Sequence, residues 1–212
     1  MNNSYEEERK RSMSKNIVLN FKQGIAAGLL ISCGVVVNSM ADNRWLGAVF
    51  FTIGILTIIH KGLKLYTGKI GFYKDVPASE LAVMFVGNII GILVPAYIVA
   101  FSKPEVMETM QAVSDKKYAN SYLYMLLFGI LCGMMVFTAV YCKNQLITVL
   151  GIATFIMCGF EHCIVDFAYL MLNISPANIV KFFCVVLGNS IGAIVLHWLM
   201  EDNTQKAVTE NK

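Results

Sequence analysis

Apolar residues come in long uninterrupted blocks along this chain, not at the one-face-in-three spacing of a surface helix. Uncharged stretches cover 23–41, 45–59, 81–102, 118–142, 144–160, 167–180 and 182–200. A helix needs about 20 predominantly apolar residues to cross a bilayer. The blocks therefore predict six membrane-spanning helices, over roughly 17–37, 45–72, 80–101, 121–142, 146–172 and 177–200. Two of the six are interrupted. The second turns polar at His60-Lys61-Gly62-Leu63-Lys64 and carries Gly68, Lys69 and Gly71 beyond. The fifth carries Glu161, His162 and Asp166 near its middle, next to Gly159.

The blocks also repeat. Phe85-Val86-Gly87-Asn88-Ile89-Ile90-Gly91 returns as Val186-Leu187-Gly188-Asn189-Ser190-Ile191-Gly192, and Gly24-x-x-x-Gly28 returns as Gly129-x-x-x-Gly133. Two related halves, about 17–102 and 121–200, follow from these strings. With three spans each, like-folded halves must enter the membrane in opposite directions, which predicts an inverted repeat. Small residues at this spacing let helices approach closely. Asn88 and Asn189, at lipid depth, need hydrogen-bond partners, and a bond across the interface of the halves is the expected one; both, with Lys64, are candidate residues of a transport path between the halves.

Composition agrees. Of 212 residues 57% are hydrophobic and 15% charged, so an ordinary soluble domain is excluded. The net charge is +3 and the lysines are dispersed, which gives nucleic-acid binding no support. Lys10, Arg11, Lys15, Lys22, Lys61, Lys64, Lys69, Lys74, Lys143, Lys206 and Lys212 fall on one side of the six-span scheme. Arg44, Lys103, Lys116, Lys117 and Lys181 fall on the other. The imbalance puts both termini in the cytosol, as short tails at 1–16 and 202–212 around a channel domain at 17–201. The polar N-terminal stretch does not read as a cleavable signal. The six cysteines lie in or beside apolar segments without CxxC spacing and read as buried thiols, not as a disulfide or metal framework.

Non-helical backbone at membrane depth survives only where it lines a cavity or is buried in protein. Corresponding interruptions in two halves therefore point to a transport site. Each break exposes the positive end of a half-helix, and nearby lysines add to a field that favours anions. Glu161, His162, Cys163 and Asp166 do not have a familiar metal-ligand spacing, so no metal, cofactor or enzymatic role is expected. His60 reads as lining the cytosolic side, His197 as interfacial, and Trp45 and Trp198 as interfacial anchors. Glu161, one residue from His162, is expected to face helix packing. A channel for small neutral solutes is the alternative, although the Asn-Pro-Ala tripeptide of aquaporin half-helices is absent.

Gly159-Phe160-Glu161-His162-Cys163 resembles the histidine signature of the formate/nitrite transporter family. Gly62-x-x-Leu65-Tyr66-Thr67 is similar to that family's motif in its broken second helix, and the Gly-Asn-x-x-Gly strings match as well. The resemblance spans about 17–200. It implies an all-α, aquaporin-like six-helix protomer with two broken helices, assembled as a homopentamer in lipid, with one pore per protomer for a small anion such as formate, nitrite or hydrosulfide. It implies a prokaryotic plasma or inner membrane. By the same resemblance His162 is the central pore histidine and Thr67 its partner. Leu65, Tyr66 and Phe160 then lie at constrictions, and Lys117 is the lysine of the outer side. Three positions depart from the pattern: Lys64 replaces an acidic residue, Gly133 an Asn, and Asp166 an Asn. Each changes charge or polarity beside the conduit.

Overall fold

In the computed structural model, which describes residues 2–201 and side chains from 16 onward, the expected spans form as helices. They are α1 (Asn2–Met40), α2 (Arg44–Lys61), α3 (Tyr66–Lys69, followed by a 3-10 turn Ile70–Phe72), α4 (Ala78–Ser102), α5 (Pro104–Tyr118), α6 (Tyr122–Tyr141), α7 (Gln145–Cys158), α8 (Cys163–Leu170) and α9 (Pro176–Met200). Five helices are long and apolar enough to cross a membrane, and α7 with α8 makes a sixth span, bent by 40° at its break. The tail expected at 1–16 continues as helix from Asn2 into the first span, and the tail at 202–212 lies outside the described residues.

Helix ends are fixed by local chemistry. Asn43 and Asn144 cap α2 and α7, each side-chain oxygen accepting from backbone N–H groups of the first turn. Both helices stop at a glycine in the left-handed region, Gly62 (φ 64°) and Gly159 (φ 69°), where a side chain would be strained. Pro95, inside α4, cannot donate to the helix ladder. One turn around it is bridged by Ser32 of α1, whose hydroxyl donates to Ile92 O (2.6 Å) and accepts from Ala96 N–H (2.8 Å).

Each half is built on one close helix pair, α1 with α4 and α6 with α9, crossing at the repeated glycines. A Cβ on Gly28 would sit 2.3 Å from Asn88 O, and one on Gly192 would sit 2.0 Å from Ile130 O. No side chain fits there without separating the helices. Large apolar side chains such as Trp45, Ile53, Phe101, Leu123 and Trp198 stay exposed on the outer surface, as lipid-facing helices require.

The connection between the halves, which lies outside the six expected spans and carries charged residues such as Glu105, Asp115 and Lys116, folds as a further helix, α5. Its buried stripe Val106, Met110, Ser114 and Tyr118 follows the four-residue helical spacing. Cys33 and Cys158, expected to be buried, are exposed on the helix surface. His197, expected at the interface, instead meets Gly71 O through Nδ1 at 2.6 Å, among the rings of Phe72, Phe137 and Tyr141.

The glycine contacts give a graded expectation. Gly192→Ala should destabilise the fold by roughly 1–3 kcal/mol, because the clash is with backbone. Gly151→Ala, whose nearest neighbour is a flexible Met135 methyl at 3.7 Å, should leave the melting temperature unchanged or raise it. Thermal unfolding in detergent separates the two.

Candidate functional site

The two breaks are built alike, position for position. After Gly62 the chain runs Leu63-Lys64-Leu65 into α3, and after Gly159 it runs Phe160-Glu161-His162 into α8. One asparagine straps each break. Asn88 Nδ2 donates to Gly24 O (2.8 Å) and Lys64 O (2.9 Å), while its Oδ1 accepts from Tyr66 N–H (2.9 Å). Asn189 repeats the pattern with Gly129 O (2.8 Å), Glu161 O (2.8 Å) and Cys163 N–H (2.9 Å). Backbone groups that helix geometry leaves open are thereby satisfied at a depth without water. This corrects the expectation that Asn88 and Asn189 pair across the halves or face the pore. Both are fully buried, and each spends its amide on its own half.

Strapped in this way, the half-helices bring Thr67 and His162 together across the halves. Thr67 Oγ1 and His162 Nε2 are 3.0 Å apart and both side chains are buried. His162 is also the N-cap of α8: Val165 N–H donates to Nδ1 at 3.3 Å. An Nδ1 that accepts leaves the proton of a neutral imidazole on Nε2, where it is donated to Thr67. The threonine hydroxyl then keeps its own O–H to donate elsewhere. The imidazole stacks on Phe155 (5.8 Å, 20°), which meets Phe51 edge-on at 6.2 Å.

Two cavities flank this pair, at opposite ends of α2 and α7. The inner one, about 800 Å³, is lined by Leu65, Gly68 and three lysines, Lys61, Lys69 and Lys143, with His60, and by no carboxylate. The outer one, about 280 Å³, is lined by His162, Phe160, Phe51, Phe155, Lys117 and Asp166, with Asp42 and Arg44 at the α1–α2 turn. Lys117 reaches in from α5 and is only 16% exposed. Its ammonium pairs with the Glu161 carboxylate and lies 2.9 Å from Asp166 Oδ1. Burial by itself would lower the Lys117 pKa, but Asp166 and Glu161 outweigh it and hold the group above its ordinary value. The same helix clamps α8 through Ser114, which donates to Tyr169 O (2.7 Å), and Tyr118, which donates to Asp166 O (3.1 Å). Among the described residues no cluster of side chains could hold a metal ion.

With this geometry in place, the chain was compared with known proteins. Residues 1–201 match the formate/nitrite transporter family. The chain belongs to the formate/nitrite transporter family. It is 24% identical over 200 residues to the formate channel FocA of Haemophilus influenzae, covering 78% of this chain and 70% of that one. Its fold is that of a pentameric formate channel solved with formate bound (TM-score 0.70, 19% identity, 93% of this chain and 99% of that chain). It is also that of an ion channel of the same family (TM-score 0.70, 18% identity, 92% and 93%). It is thus a multi-pass membrane transport protein and not an enzyme.

The remaining expected site residues are distributed unevenly around this family member's two breaks. Leu65 lines the inner cavity at the position that His162 holds in the other half. Tyr66 lines neither cavity: its hydroxyl is 2.9 Å from Ser190 Oγ and its ring packs edge-on to Phe85. Lys64 is half-buried and offers Asn88 only its carbonyl, while Lys69, which the spacing did not single out, faces the inner cavity. Glu161 turns from the cavity lining onto Lys117. Phe51 and Phe155 were missed as well, since each reads as an ordinary apolar residue within its span.

Removing a strap should open its break. Asn189→Ala leaves Glu161 O and Cys163 N–H without partners and should cost roughly 1–3 kcal/mol. Thermal melting checks this, and an unchanged melting temperature would show that water or a neighbouring group replaces the amide.

Proposed function

We propose that this protein conducts small monovalent weak-acid anions of the formate, nitrite or hydrosulfide class, one pathway per protomer of a homopentamer. The pathway runs from the inner cavity past Leu65, Thr67 and His162 into the outer cavity. The observation that carries the reading is the buried Thr67–His162 contact, 3.0 Å, made between two half-helices and flanked on both sides by cavities. The inner cavity, with three lysines and no acid, raises the local concentration of anions over cations. At the neck, Leu65, Phe51 and Phe155 leave little polar surface, so a bare anion would lose its hydration at high cost. A weak acid avoids this by crossing as its neutral form. The Thr67 O–H, and the Nε2–H when it swings from Thr67, are donors for its oxygen or sulfur atoms.

Placement in a prokaryotic plasma or inner membrane with both termini cytosolic follows from the distribution of lysine and arginine, and fits the bacterial relative. The resemblance to a pentameric channel supports the oligomer.

Purified protein in liposomes should move formate, nitrite and hydrosulfide and exclude cations and sugars; free movement of glycerol with none of the anions would favour a neutral-solute channel instead. His162→Phe should close the neck by volume. His162→Asn retains an acceptor for Val165 N–H and a donor for Thr67, so flux should persist in intact pentamers. A histidine that only packs would show the opposite, with pentamer yield lost in both variants and the surviving His162→Phe protein still conducting.

A further inference from the structure

The buried charges beside His162 do not balance. Lys117 brings one ammonium, whereas Glu161 and Asp166 bring two carboxylates, all three at most one-sixth exposed. Fully ionised, the group leaves one uncompensated negative charge on the path of an anion. The two acids are also not equivalent. Glu161 accepts a hydrogen bond from Lys117 and is turned from the cavity. Asp166 is completely buried and lines the cavity, and neither of its oxygens accepts a well-aligned hydrogen bond; its polar neighbours are Lys117, which approaches off axis at 2.9 Å, and the Glu161 carboxyl. A buried ionised carboxylate without hydrogen bonds is among the costliest groups in a protein, and two carboxylates sharing one site do not both ionise readily.

We propose that Asp166 carries a proton in the resting protein and is the group that hands it to the weak-acid anion in the outer cavity. In this step the O–H bond at the Asp166 carboxyl breaks and a bond from that proton to the anion forms. The carboxylate left behind is held by Lys117. The neutral acid passes Thr67 and His162 and ionises among Lys61, Lys69 and Lys143 of the inner cavity, so one proton travels with each anion. Asp166 regains its proton from the outer solution through the same cavity. Proton transfer is thereby assigned to the carboxyl and not to His162, whose Nδ1 lone pair is committed to capping α8.

The surroundings of Asp166 are consistent with this. The charged groups facing it from other elements are Lys117 of α5 and Glu161 of the break, with Arg44 and Asp42 across the cavity; Arg44 is engaged by Met157 O at 2.7 Å. Lys181 of α9 is held on Tyr118 O. The other titratable neighbours are Tyr118 of α5, Cys132 of α6, His162 of the break, and Cys163 and Tyr169 of α8. Of the charged groups facing Asp166 only Arg44 is a further cation, and it is engaged by Met157 O at the α1–α2 turn beside Asp42 and makes no ion pair with Asp166.

The inference rests on the anion-transport reading above, and one experiment separates the two. Formate uptake into liposomes is followed, above the leak of protein-free vesicles, together with internal pH, with and without a potassium–valinomycin clamp. Wild-type uptake should acidify the lumen and be indifferent to the clamp. Asp166→Asn, which keeps shape and leaves Lys117 with Glu161 as a neutral pair, should lose the proton donor. Its uptake should fall at least about tenfold, with the clamp as well as without it, because the bare anion does not cross the neck. An Asp166→Asn protein that takes up formate with its proton at the wild-type rate, or a wild type whose uptake needs the clamp, overturns the proposal while leaving anion transport standing. A wild type that moves no monovalent anion overturns both. Should Asp166→Asn fail to assemble, the infrared spectrum of the wild type decides. A carbonyl stretch of a protonated carboxylic acid is expected at neutral pH, and its absence overturns the proposal.

Discussion

The rest of this structure depends on one requirement: a chain that leaves helical geometry inside a membrane must find protein partners for its freed backbone groups. Asn88 and Asn189 meet it, each with three hydrogen bonds to its own half. The glycines at Gly24, Gly28, Gly129 and Gly133 let α4 and α9 come close enough for those amides to reach a neighbouring helix as well as the break. Remove the close approach and the straps have no purchase. Remove the straps and the half-helices have no fixed start. The placement of Thr67 against His162 follows from both.

Within that symmetric backbone the two halves carry opposite chemistry. Where the first break has Lys64, Leu65 and Lys69, the equivalent positions of the second have Glu161, His162 and Asp166. Basic side chains thus gather at the inner cavity and acidic ones beside the outer cavity, and Lys117, from a helix outside the repeat, enters to offset the acids. The two breaks share their backbone geometry, and the pairs Lys64/Glu161 and Lys69/Asp166 give them opposite charge while leaving that shape alone.

Much of this was legible in the residues. Six spans, two interruptions and the repeat follow from block lengths and two short strings, because a bilayer imposes length and polarity limits that a soluble core does not. The pairing of Thr67 with His162 came from family resemblance, since nothing in spacing alone joins positions so far apart. Other features were hidden for identifiable reasons. The helix α5 carries so many charges that only the stripe of Val106, Met110, Ser114 and Tyr118, spaced four residues apart, betrays it. The partners of Asn88 and Asn189 lie within each half because the break, not the interface of the halves, has the unmet hydrogen bonds. Lys69, and not Lys64, faces the inner cavity because the break ends at Leu65, which fixes which side of the short helix α3 turns inward.

The central claim is that His162 is held as a neutral imidazole with Nδ1 capping α8 and Nε2–H aimed at Thr67. Nitrogen-15 magnetic resonance of histidine-labelled protein in lipid reads this directly. The other two histidines, His60 and His197, are removed one at a time to assign the signal. The account requires a neutral His162 ring at neutral pH, with the proton on Nε2 and an unprotonated Nδ1 that shifts when Thr67 is replaced by valine. A ring protonated on Nδ1, or one indifferent to Thr67, would contradict it.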